Sequence, residues 1–111
     1  MAYSNDVVIV ETPIFTRQVT DQLTEQEYRE LQVALVNDPS LGDVIKGSGG
    51  LRKVRWMLTG RGKRGGARII YYWAVSDERL LMLFMYPKNE RSDLTAAQIA
   101  TLRQIVEREY P

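Results

Sequence analysis

Two hydrophobic rhythms divide the chain. Apolar positions recur three or four residues apart at Phe15, Val19 and Leu23, at Tyr28, Leu31 and Leu35, and at Ile99, Leu102, Val106 and Tyr110. That period lays each set on one stripe of a helix. The punctuation agrees. Thr12 can cap the first helix, and Pro13 fits its first turn, where no amide is needed. Thr24-Glu25-Gln26-Glu27 and Thr95-Ala96-Ala97-Gln98 read as capping boxes, with Leu23 and Tyr28, then Leu94 and Ile99, placed as hydrophobic staples. Asn37-Asp38-Pro39 stops the second helix, because a residue before proline avoids helical geometry.

The other rhythm predicts strands. Val7 to Val10 is a short β-branched run, Arg52 to Leu58 is a second candidate, and Arg68 to Val75 and Leu80 to Tyr86 form a hairpin joined by Ser76-Asp77-Glu78-Arg79. The hairpin strands are almost continuously apolar, so both of their faces are covered, one of them by helices. Alternation places Arg68, Ile70 and Tyr72 on one face and Ile69, Tyr71 and Trp73 on the other. The order β-α-α-β-β-β-α predicts an α+β fold: a small, twisted, mainly antiparallel sheet with an N-terminal helix hairpin and a C-terminal helix. At 111 residues and 44% apolar, the chain suits a single domain over 1–111 with one core.

Composition narrows the chemistry. The chain has no cysteine and no histidine. Thiolate nucleophiles and Cys- or His-based metal sites are thereby excluded, no metal or cofactor is expected, and any catalysis falls to Lys, Arg, Tyr, Asp or Glu. The longest apolar run, Leu80 to Tyr86, is far below a spanning length, and the N-terminus lacks a signal-peptide pattern. A soluble, cytoplasmic protein without membrane association is the expectation.

Charge is gathered rather than spread. The whole chain carries +1, yet residues 1–43 carry −6 and residues 44–91 carry +8. Leu51 to Arg68 holds seven Lys or Arg and no Asp or Glu. Cations concentrated beside aromatics mark a polyanion site. All eight glycines lie between Gly42 and Gly66 in two loops flanking the Arg52 strand. The second loop, Gly60-Arg61-Gly62-Lys63-Arg64-Gly65-Gly66, suits a cationic tip closing over a phosphate backbone. It lacks the Lys-Ser or Lys-Thr of a Walker sequence, which disfavours nucleotide triphosphate hydrolysis.

The order of elements, together with Leu51-Arg52-Lys53-Val54-Arg55-Trp56, Gly66-Ala67-Arg68-Ile69-Ile70-Tyr71-Tyr72 and the exit Tyr86-Pro87-Lys88-Asn89-Glu90, resembles the RelE/ParE superfamily of bacterial toxins, and most closely its HigB-type branch. The resemblance implies the toxin half of a type II toxin–antitoxin pair. It also implies an mRNA endoribonuclease that works on the ribosome without a metal, with a cognate antitoxin, the ribosome and mRNA as partners. Carried onto this chain, Lys53 and Arg55 correspond to the family's paired basic strand residues, Arg68 to its phosphate-clamping arginine and Lys88 to the cation near the leaving group. Tyr86 and Glu90 flank Lys88, and Arg52, Arg61, Lys63, Arg64 and Arg91 complete the candidate RNA contacts. The chain departs from members that use histidine.

The residue chemistry is compatible with internal cleavage of RNA, which removes a 2′-hydroxyl proton, stabilises a phosphorane-like transition state and protonates the departing 5′-oxygen. Lys53 and Arg55, one residue apart, share a strand face. Two rival readings remain: a ParE-like toxin that poisons DNA gyrase by protein contact, and an RNA-binding module without chemistry.

Overall fold

The computed structural model describes residues 7–57, 66–88 and 93–111. They form β1 (Val8–Glu11), α1 (Pro13–Gln22), α2 (Glu25–Asn37), β2 (Asp43–Val44), β3 (Leu51–Met57), β4 (Gly66–Ala74), β5 (Arg79–Pro87) and α3 (Ala96–Glu109). The strands make one sheet in the order β1-β5-β4-β3-β2. β1 runs parallel to β5 and the other pairs are antiparallel. The α+β class and the mainly antiparallel sheet are those expected.

Each helix starts where its capping chemistry stands. The Thr12 hydroxyl accepts from the Phe15 amide, and both capping boxes close reciprocally, Thr24 with Glu27 and Thr95 with Gln98. The sheet lies between two helical layers. On one face Phe15, Val19, Leu31 and Leu35 meet Val54, Ile69, Tyr71, Met82 and Met85. On the other, Leu102 and Val106 of α3 meet Leu51, Ile70, Leu81, Leu83 and Tyr86. This double coverage explains why β4 and β5 read as unbroken apolar runs.

The structure adds a fifth strand to the four expected from sequence. β2 is two residues long and pairs Asp43 with Lys53 and Val44 with Arg52. So short a strand shows no alternation, and its fixings are distant. The Tyr71 hydroxyl, beneath the sheet, donates to the Pro39 carbonyl (2.6 Å) and accepts from the Gly42 amide (2.9 Å). Burial raises the Tyr71 pKa above the ordinary tyrosine value, which keeps that hydroxyl a donor. Gly42 is obligatory for close approach, since a Cβ there would sit 2.9 Å from the Tyr71 ring and 3.0 Å from the Lys53 carbonyl. β4 also begins earlier than expected, at Gly66, so Arg68 is the third residue of the strand rather than the first. The link expected over Ser76 to Arg79 is a 3-10 turn, Val75–Asp77, closed by Glu78 in the left-handed region at φ 53°.

A bulge in β5 governs the far end of the sheet. Tyr71 pairs with Met82, but Ile70 pairs with Phe84, leaving Leu83 extra. Leu83 and Phe84 both belong to the α3 face, after which Met85 returns to the α1–α2 face and Tyr86 to the α3 face. The alternation of β5 is thereby shifted by one residue. Thr12 and Gln18 fasten the irregularity. The Thr12 amide donates to the Met82 carbonyl (3.1 Å) and its hydroxyl to the Leu83 carbonyl (3.2 Å), while the Gln18 side chain accepts from the Met85 amide (2.8 Å).

Thr12 is thus both helix cap and bulge clasp. Thr12→Ala is expected to cost about 2 kcal/mol, combining a lost cap with a lost hydrogen bond to a partly buried carbonyl. Thr12→Ser, which keeps the oxygen, should cost less than about 1 kcal/mol. Urea denaturation followed by circular dichroism measures both; equal losses would assign the effect to the methyl group instead.

Candidate nucleic-acid interface

The α3 face of the sheet changes character along every central strand. On β3 it passes from Leu51 to Lys53 and Arg55, and on β4, running the other way, from Tyr72 and Ile70 to Arg68 and Gly66. On β5 the bulge brings Tyr86 onto this face opposite Arg68, and the chain continues to the exposed Lys88. Without the extra residue, alternation from Leu80 would have sent Lys88 to the side of α1 and α2. α3 covers the apolar half, with Leu102 and Val106 in the core. The cationic half lies beyond it.

Arg55 and Arg68 are direct cross-strand partners. Opposed side chains in an antiparallel pair have Cβ atoms roughly 5 Å apart, and like charges there are destabilising. Arg68 and Lys88 also converge: a Cβ on Gly66 would lie 3.8 Å from Arg68 Nη1 and 3.5 Å from Lys88 Cδ, so both side chains lie over that glycine. The Lys88 amide donates to the Gly66 carbonyl (3.0 Å), which fixes the end of β5 beside the start of β4.

Among the described residues, one carboxylate enters this cluster. Lys53 Nζ lies 2.6 Å from Asp93 Oδ1, with Lys53 19% exposed and Asp93 74% exposed. The hydrogen bond from Lys53, and then its charge, hold the Asp93 carboxyl below the usual aspartate value, and Arg55 and Arg68 pull in the same direction. Lys53 and Asp93 also wall a cleft of about 320 Å³ with Ile45, Lys46, Leu94 and Ile99. A larger apolar groove, about 670 Å³, lies between α3, β5 and the β1–α1 junction, and none of the four clustered cations lines it.

The model of a family described as the RelE toxin of the RelE/RelB toxin–antitoxin system matches residues 12–109. The chain belongs to the RelE toxin family. Its fold is similar to that of a double arginine-to-alanine mutant of the E. coli toxin RelE in the free state, with a TM-score of 0.57 and 14% identity over 97% of this chain and 98% of that one.

In this RelE-family chain, Lys53, Arg55, Arg68 and Lys88 come together on one sheet face. Arg52 does not join them. It lies on the opposite face, where Nη1 donates to the Gly42 carbonyl (2.7 Å) and the Ser40 carbonyl (3.3 Å) and the guanidinium sits 5.9 Å from the Trp73 ring centre. Strand alternation alone separates it from its neighbour Lys53. Tyr86 shares the cationic face but is 1% exposed, packed beside Phe84 with ring centres 6.1 Å apart, so it supports that face from within. Arg61, Lys63, Arg64, Glu90 and Arg91 lie outside the described residues. Asp93 is the residue that reading the sequence missed: its pair with Lys53 spans forty positions, and its only local signal was proximity to a capping box.

The two arginines of β3 should therefore behave differently on truncation. Arg52→Ala is expected to lower stability by about 1–2 kcal/mol, through lost carbonyl hydrogen bonds and the Trp73 contact. Arg55→Ala, exposed and facing another cation, should change it by less than about 0.5 kcal/mol. Urea midpoints of the two variants check this, and a larger loss for Arg55→Ala would contradict the assignment of faces.

Proposed function

We propose that this protein is the toxin of a type II toxin–antitoxin pair, of the HigB-type branch, and that it cleaves mRNA on the ribosome in the cytoplasm. A cognate antitoxin holds it in check. The observation that carries the reading is the direct pairing of Arg55 with Arg68 across two strands, with Lys53 and Lys88 on the same face. A fold tolerates opposed like charges at a local cost, and an anion held between them removes that cost. Gyrase poisoning by protein contact gives no reason for such convergence.

In the proposed reaction the 2′-oxygen of a ribose attacks the adjacent phosphorus. The 2′-hydroxyl gives up its proton to solvent water as its oxygen bonds to phosphorus, and the bond from phosphorus to the 5′-oxygen breaks, giving a 2′,3′-cyclic phosphate and a 5′-hydroxyl. Arg55 and Arg68 hold the non-bridging oxygens, where negative charge grows most. Lys88, exposed at the end of β5, gives the 5′-oxygen its proton, which an arginine, held charged by its higher pKa, would release less readily. The lysine and arginine side chains supply positive charge in place of a metal ion.

Arg68→Ala is expected to lower the rate of cleavage by about 10²–10³ and to abolish growth inhibition, the usual loss for one donor to a developing oxyanion. Mapping of mRNA 5′ ends after incubation with translating ribosomes measures this, and undiminished cleavage by a folded variant would remove Arg68 from the site. Gyrase–DNA adducts in place of new mRNA ends would favour the rival reading.

The products are a separate check. They should carry a 2′,3′-cyclic or 3′-phosphate, identified by sensitivity to phosphatase and by mass. A 3′-hydroxyl would rule out attack by the 2′-oxygen, which cannot generate it.

A further inference from the structure

The Lys53–Asp93 pair contributes little to stability. Asp93 is 74% exposed, and ion pairs open to solvent are weak stabilisers that salt screens further. Its position has another consequence. The carboxylate stands two residues before the cap of α3 and reaches a lysine of β3 at 2.6 Å, within the field of Arg55 and Arg68. A carboxylate in that place presents to Lys53 what a phosphate would present: two anionic oxygens able to accept a charge-assisted hydrogen bond.

We infer that Asp93 is an internal counter-ion occupying a phosphate subsite, and that an RNA phosphate binds Lys53 by displacing it. This rests on the proposed action on RNA and deepens it, by naming a residue that sets how tightly the cationic face holds a polyanion. The exchange is feasible because the two partners are fixed unequally. Lys53 extends from the middle of a paired strand and is mostly covered, so its ammonium stays on the face. Asp93 precedes the first turn of α3 and is mostly in solvent, so its side chain can swing away without disturbing the core. Displacement exchanges one ion pair for another, and the carboxylate, still near Arg55 and Arg68, continues to weaken the field felt by the incoming strand. Asp93 therefore restrains indiscriminate binding of RNA and favours substrates presented in the right place.

The test uses a single-stranded 2′-O-methyl RNA oligonucleotide, which lacks the attacking hydroxyl, with affinity followed by fluorescence anisotropy over a range of salt. Asp93→Asn is expected to bind the probe at least threefold more tightly than the parent near physiological salt. The slope of log affinity against log salt should steepen by up to about 0.7, because the parent's displaced carboxylate takes up a salt cation and so offsets the release from one phosphate, which the variant does not. Asp93→Glu, which restores the charge, should return both quantities to the parental values. In a Lys53→Ala background Asp93→Asn should have less than half its effect, because the subsite it guards has lost its main cation. Equal or weaker binding by a folded Asp93→Asn variant, with the parent binding the probe and Arg68→Ala weakening it, would overturn the inference and leave the proposed function standing. Failure of the parent to bind the probe at any salt would overturn both.

Discussion

The site depends on one irregularity in the sheet. Leu83 is an extra residue in β5, and it moves everything after it to the other face of the strand. Tyr86 consequently supports the cationic surface and Lys88 extends it. The bulge is held from the opposite layer, by the Thr12 backbone and hydroxyl and the Gln18 amide, groups at the start and middle of α1. A helix that contributes nothing to the cationic surface thus decides which residues of β5 reach it. A buried ladder amide left without Gln18 would carry a desolvation cost, so register and helix position are mutually enforced.

Elements specified by neighbours in sequence were legible; those specified by distant partners were not. The three helices announce themselves through Thr12-Pro13, Thr24 to Glu27 and Thr95 to Gln98, because caps and capping boxes act within four residues. Alternation in β3 likewise put Lys53 and Arg55 on one face. β2 escaped notice because two residues have no periodicity and the groups that hold the adjoining Gly42, the Tyr71 hydroxyl and the Arg52 guanidinium, lie elsewhere in the chain. The bulge escaped because an apolar run of the type Leu80 to Tyr86 gives no sign of which residue is extra. Asp93 escaped because its partner lies forty residues away.

The same sheet face serves two purposes with one boundary. Where α3 lies, the positions of β3, β4 and β5 are Leu51, Ile70, Tyr72, Leu81 and Leu83, and their burial ties the helix to the sheet. Where α3 ends, the same alternating positions become Lys53, Arg55 and Arg68. The Lys53–Asp93 pair sits at that border, where the apolar layer meets the charged one. Rigid strands set the spacing of the cations, and the burial of their flanking residues fixes the direction in which each points. The cations are therefore held in place before any anion is bound, the arrangement that the proposed function requires.

The parallel pairing of β1 with β5 has a consequence for when the molecule becomes complete. Val8 is in register with Arg79 and Glu11 with Met82, so the first of the described strands pairs with the last of them. Contacts this distant form late, since the entropy of closing the intervening loop must be met first. During synthesis the helix hairpin can form while the strand that carries the bulge has yet to emerge, and Thr12 and Gln18 wait for it. The cationic surface is assembled only when β5 is clasped. A ribosome making this chain therefore holds a nascent polypeptide whose cationic surface is unfinished until β5 has emerged.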